Sequence, residues 1–176
     1  MEDLRYPIGP FQFSGKPDTH SRTRCIAEIG AAPGHLRAAV SDLTPQQLDT
    51  PYRPNGWTVR QVIHHVPDSH LNAYTRCKLA LTEPEPTIKP YDEARWAELP
   101  DVAATPIETS LTLLECLHRR WVLLLRELRS EDYSRKFKHP ELGRTITLNE
   151  LLELYAWHGR HHVAHITSLR DRMGWS

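Results

Sequence analysis

Tyr155-Ala156-Trp157-His158-Gly159-Arg160-His161-His162-Val163-Ala164-His165 is the stretch whose reading decides the fold, and it holds four of the eleven histidines. Wound as a helix, it places Leu151, Tyr155, His158, His162, His165 and Leu169 at steps of four and three, one stripe down one face. Such a stripe faces a core. Imidazole fills a core poorly, because its ring nitrogens need partners once buried. Two histidines four residues apart on the stripe emerge on the same side, one turn apart, and can grip one metal ion. The plainer alternative is a pair of polar side chains at a helix interface. A second cluster weighs against it: His64, His65 and His70 lie far upstream on another amphipathic segment. We read the two clusters as meeting around a divalent metal.

Outward from that stretch the chain reads as helices. Thr147 and Glu150 form a capping-box pattern that opens the fourth long helix, which runs to about Met173 and stops at Gly174. Before it, Phe137 to Ile146 reads as a small β-hairpin turning at Glu141-Leu142-Gly143, preceded by one helical turn at Ser130 to Tyr133. The third helix is expected from Thr105, with Thr as N-cap and Pro106 at the first position, to about Leu128. Residues 83–106 are a long Pro-rich crossover, with a short helix expected within Tyr91 to Leu99. The second helix begins at the capping box Thr58 to Gln61 and runs to about Leu81, interrupted by Pro67. A turn at Pro54-Asn55-Gly56 and a capped turn at Thr44-Pro45 precede it. The first helix spans Arg22 to about Ser41, with a kink or break expected at Pro33. Residues 1–21 read as an extended arm lying along the body. The expected fold is all-α, a single-domain four-helix bundle over residues 1–176.

Bulk properties narrow the function. Twenty-two basic and twenty-two acidic residues cancel, without a basic stripe, which argues against a nucleic-acid partner. No apolar run reaches the length of a membrane span, and the first residues carry no apolar signal region. The cysteines, Cys25, Cys77 and Cys116, are odd in number and widely spaced, so each is expected to be a buried thiol in a reducing cytoplasm.

From spacing, His158 and His162 are candidate metal ligands, and His64, His65 and His70 all stay open for the opposing helix. Three neutral imidazoles would leave the ion's charge uncancelled and the ion able to activate water or a thiol for attack on an electrophile. Position 159 is Gly, where the zinc-protease helix carries its Glu base, so a protease is a poor reading. Asp68, one turn from His65, is a candidate to orient a ligand ring or to act as a base. His161 and His165 read as outer partners of the ligands or as polar interface positions. His20, His35, His118 and His139 are scattered and carry no assignment.

Leu48 to Arg53, Gly56 to His65, Asp68 to His70, Lys89 to Glu93, Trp157-His158, His161 to Thr167 and Arg172 to Trp175 together resemble the YfiT branch of the DinB/YfiT metalloenzyme superfamily. The likeness extends from Tyr6 over nearly the whole chain. It implies a four-helix bundle holding one divalent ion on His65, His158 and His162, with zinc expected and nickel, manganese or iron(II) as alternatives. It further implies a metal-dependent hydrolase acting on a small molecule, and a homodimer. The branch also contains enzymes that move a low-molecular-weight thiol such as bacillithiol onto electrophiles, so a thiol S-transferase is the alternative. A non-catalytic metal- or haem-binding bundle is the alternative from another class. Two departures from the branch are Pro67, where small helix-compatible residues are usual, and Gly159-Arg160, in place of a Ser-His pair.

Overall fold

The computed structural model describes residues 3–15 and 17–175; the ends of the expected arm at Met1 and Glu2, its Lys16, and Ser176 lie outside the described residues. Four long helices carry the structure: α1 (Thr19–Ala39), α3 (Val59–Thr82), α6 (Ile107–Glu127) and α7 (Leu148–Met173). Short helices α2 (Pro45–Leu48), α4 (Glu93–Trp96) and α5 (Pro100–Ala104) lie in the connections. A 3₁₀ turn (Asp132–Ser134) precedes an antiparallel hairpin of β1 (Lys136–His139) and β2 (Arg144–Thr147). The expected all-α four-helix bundle with one hairpin is the observed fold.

Local chemistry sets most boundaries. The side chains of Thr44, Thr58 and Thr147 each accept a hydrogen bond from the third residue of the helix they precede. Gln47 and Gln61 return the bond to complete capping boxes, whereas Glu150 turns instead to Arg144, which it meets at 2.6 and 3.0 Å. Gly174 ends α7 in the left-handed conformation. Two expectations shift. α1 starts at Thr19, capped by Asp18, three residues before the expected Arg22. α6 starts after Pro106 without a side-chain cap, because Thr105 already ends α5.

Pro33 and Pro67 do not break their helices: α1 and α3 run through both. An interior proline costs about 3 kcal/mol. Burial of Cys25, Ile29, Ala32, Leu36 and Ala39 along α1 offsets that cost, since one fully buried large aliphatic side chain contributes roughly 1.5–3 kcal/mol.

The bundle is connected across its diagonals. α1 packs against α6 and α7, and α3 packs against the same two, so the order around the bundle is α1, α6, α3, α7. The Pro-rich crossover thus joins neighbours, α3 and α6. Its length serves another purpose: Pro90, Tyr91, Glu93 and Ala94 build one wall of a cavity. Two apolar clusters fill the core, one around Ile29, Trp121, Phe137 and Leu152, the other around Leu36, Ile63, Leu114 and Ile166. Between them, at one level, each long helix passes through a less apolar layer: Ala32-Pro33 on α1, His65 to His70 on α3, Leu117-His118 on α6 and His158 to His165 on α7. Gly159 lies in this layer, where an added Cβ would stand 3.0 Å from the Cβ of Ala32, so glycine permits the close approach of α1 and α7.

Candidate metal centre

The stripe on α7 faces inward as its period requires: Leu151, Tyr155, His162, His165 and Leu169 are buried, and His158 is partly exposed at a cavity floor. From α3, which packs beside α7, His65 comes opposite them. Ligand nitrogens of His65, His158 and His162 all lie within 4.8 Å of one another. Of the three α3 histidines left open by spacing, His65 is the one in this cluster. His64 is turned to α6, its Nδ1 2.7 Å from the Ser110 hydroxyl.

Hydrogen-bond chemistry fixes where the protons sit. His118 Nδ1 is 2.6 Å from the Ile29 carbonyl, which can only accept, so His118 Nδ1 carries the hydrogen. Burial pushes His118 down to about 4, so the ring is neutral and its Nε2 is a bare acceptor. His70 Nδ1, 2.8 Å away, must then donate to it. His70 is likewise held neutral, lowered well below the ordinary value by burial and by the neighbouring rings of His158, His118 and His65. Its Nε2 therefore accepts from His158 Nδ1 at 3.1 Å. What remains on His158 is Nε2 with a free lone pair.

His162 is set in the same way from the other side. His165 Nε2 donates to the Arg5 carbonyl at 3.1 Å, so its Nδ1 accepts from His162 Nδ1 at 3.4 Å. His162 also presents a bare Nε2. The two bare nitrogens stand 3.2 Å apart. Neither has a hydrogen to offer, so they repel unless a cation lies between them. Two imidazole nitrogens bound to one tetrahedral ion are about 3.3 Å apart. His65, neutral because burial and the His165 ring lower it to about 4, completes a three-imidazole set. These residues fit a divalent ion.

The cluster forms the floor of a cavity of about 680 Å³. Tyr52, Arg53 and Trp57 from the loop before α3, Arg76 and Ser69 from α3, and Arg5 and Tyr6 from the arm contribute to its walls. The arm lies against α7, tied by Arg5 to His165, Gly9 to Trp157 and Ser14 to Glu153, while the last residues of the expected arm, 19–21, belong to α1. His161 stacks on Trp157, with ring centroids 4.3 Å apart.

Asp68 stands apart from this arrangement. Burial and Asp101 raise its carboxyl to about 6, it makes no side-chain hydrogen bond to a histidine among the described residues, and it is not in the cavity wall. The rings behind His158 and His162 are His70 and His165 instead. His118, unassigned from sequence, stands behind His70; His139, also unassigned, lies in the cavity wall. None of the three cysteines lines the cavity, and Cys116 is exposed rather than buried. Burial raises Cys77 to about 11, so it is held as a thiol.

Known proteins share this architecture. A Bacillus mycoides (strain KBAB4) protein named "putative metal-dependent hydrolase" is 55% identical over 175 residues, covering 99% of this chain and 100% of the relative. A Bacillus cereus (strain 03BB102) protein of the same name is 57% identical over the same length. A solved structure, described as YfiT from Bacillus subtilis, "a probable metal-dependent hydrolase with an unusual four-helix bundle topology", superposes with a TM-score of 0.96 at 48% identity. That match covers 98% of this chain and 99% of YfiT. The diagonal order of helices found above and the histidines it gathers thus sit in a chain matched along its length. Residues 28–166 also fit the DinB superfamily, and the chain belongs to that family.

Proposed function

We propose that this protein is a metal-dependent hydrolase that holds one divalent ion, zinc in the first instance, on His65, His158 and His162 and acts on a small electrophilic substrate. The observation that carries the reading is the pair of bare Nε2 atoms 3.2 Å apart on the cavity floor, with His65 across from them. An ion bound by three neutral imidazoles keeps its full charge and open positions, and lowers the pKa of water toward about 7 while polarising an electrophilic oxygen.

The chain's own residues supply the rest. The cavity wall carries three guanidiniums, Arg5, Arg53 and Arg76, against two carboxylates, Glu93 and Glu141, and so leans toward substrates with an anionic group. The phenols of Tyr91 and Tyr155 are raised by burial. They stay protonated near neutral pH and donate hydrogen bonds rather than abstract protons. Trp57, packed 4.7 Å from the His65 ring, covers that ligand's outer side.

The test is a panel of small esters, amides and phosphoesters offered to zinc-loaded protein, with and without an added low-molecular-weight thiol. Turnover without thiol, lost in His162→Ala, is expected. Turnover only with thiol would replace hydrolysis by S-transfer. A Soret band in protein as purified, with no turnover, would favour the haem-binding alternative.

A further inference from the structure

The histidine layer between the two apolar clusters contains more than a three-ligand set needs. His70 and His118 are both deeply buried, 0% and 1% exposed, and both are out of reach of the cavity. A buried polar group in the middle of a bundle is costly unless every polar atom is partnered. Here the partners form one continuous line: His158 on α7, His70 on α3, His118 on α6 and the Ile29 carbonyl on α1, at 3.1, 2.8 and 2.6 Å. The line touches each of the four long helices once.

Its last member explains a residue that otherwise has no rationale. The carbonyl of Ile29 would normally accept the N–H four residues on, and that residue is Pro33, which has none. The proline that a helix former would replace is the one that leaves Ile29 free to receive His118.

We propose that His70 and His118 are positioning residues that, anchored on the Ile29 carbonyl freed by Pro33, hold His158 in the tautomer whose Nε2 lone pair faces the metal centre. The proposal rests on the metal-site reading above for its purpose, but not for its geometry. A carbonyl accepts and cannot donate, so the direction of every hydrogen bond in the line is set from the α1 end. Without that anchor, His118 and His70 could each turn over their donor and acceptor sides. His158 would then spend part of its time with a hydrogen on Nε2, closed to a metal. Partners that orient a ligand imidazole commonly change metal affinity about 10- to 100-fold when removed.

The experiment uses the full chain with histidines labelled with ¹⁵N. In metal-free wild type at pH 7.5, the His158 signals should report hydrogen on Nδ1 and a bare Nε2. In His118→Phe and His70→Phe, the same signals should move to a mixture of tautomers, and zinc affinity should fall about 10- to 100-fold by competition titration. His118→Gln keeps a carbonyl oxygen for His70 and an amide N–H for Ile29, and should recover affinity to within about threefold, a rescue that space-filling alone would not give. The proposal is overturned if His118→Phe is folded yet keeps one His158 tautomer and zinc affinity within twofold of wild type. Should that variant fail to fold, the wild-type spectrum decides: a major Nε2–H tautomer on His158 overturns the proposal. Wild type that binds no zinc would defeat the metal reading, while the metal-free spectrum would still judge the relay.

Discussion

His158 and His162 are one turn apart on the same helix, and each is backed by another histidine, but the two supports differ in kind. Behind His158 the line runs inward through two fully buried rings to a helix carbonyl on α1, with separations of 3.1, 2.8 and 2.6 Å. Behind His162 it runs outward through one ring, His165, at 3.4 Å, to the Arg5 carbonyl of the arm at 3.1 Å. The inner support shares the stability of the bundle core. The outer one is only as firm as a half-exposed arm docked by a few hydrogen bonds, and segments of that kind open far more readily than cores. The difference teaches that His158 is fixed by the fold while its neighbour His162 is adjustable from the surface, where Arg5 and Tyr6 of the arm line the cavity.

The largest expected effect lies in the ligands themselves. If the proposed three-histidine site is right, His65→Ala, His158→Ala and His162→Ala should each lower zinc affinity by about a thousandfold or more, because each would remove one of its three ligands. Elemental analysis after dialysis reads this out. A folded His158→Ala protein with one zinc per chain would remove that side of the comparison altogether.

The supports come next. His70→Phe should cost about 10- to 100-fold in zinc affinity and His165→Phe about threefold, measured by the same competition titration. The reverse ranking would show that the arm, and not the core, sets the geometry of the centre.

Acid should weaken the metal-free protein through the same rings. His65 and His118 fall from the ordinary 6.5 to about 4, and His70, His158 and His162 lie well below it, chiefly through burial. The folded rings thus bind protons more weakly than the unfolded ones. Their contribution is complete above pH 6.5 and is lost as pH falls from there toward about 4, where the unfolded chain takes up the extra protons. Each such ring adds up to about 1.4 kcal/mol per pH unit to the slope. Asp68, raised to about 6, acts with the opposite sign and only partly offsets them. Urea unfolding with a chelator at pH 7, 6 and 5 should show a steep loss, and His118→Phe a shallower one. A flat profile would mean that the rings are solvated. Zinc loss below pH 6.5 is then expected to follow unfolding more than protonation of ligands in the folded state.

How much of this was legible in the sequence follows from what each feature depends on. The α7 stripe and the Thr58–Gln61 capping box depend on residues within a turn or two of each other, and spacing reveals them; the box expected at Thr147 stays half made because Glu150 pairs with Arg144 of β2. His65 needed more, because His64, His65 and His70 all face packed neighbours on a helix buried on several sides; resemblance, not period, separated them. Local propensity marks Pro33 as a kink or break and Pro67 as a kink, yet both helices run on, because packing along their flanks outweighs the cost. The relay was not legible at all. It joins four helices whose diagonal order no local pattern encodes, and it ends on a backbone carbonyl, a group common to every residue. The one trace in the sequence is the proline four residues after Ile29, which is informative only once His118 is seen beside it.

The smallest expected effect tests the outer support alone. Trp157 Nε1 donates to the Gly9 carbonyl at 3.2 Å, and the Trp157 ring lies beside Phe11, with centroids 5.9 Å apart. Trp157→Phe removes the donor and keeps most of the apolar surface. A hydrogen bond of this kind contributes about 0.5–1.5 kcal/mol, so the arm should open about 2- to 12-fold more often. Amide hydrogen exchange should therefore quicken by that factor around Gly9, while amides of α1 near Ile29 stay unchanged. Zinc affinity should move by less than about threefold, since His162 loses only a share of its support and His158 none. If exchange quickens equally in the arm and in α1, the two supports are one cooperative unit and the division drawn between them fails. If the arm loosens and zinc affinity nevertheless falls as far as in His70→Phe, the arm holds the centre as firmly as the core does.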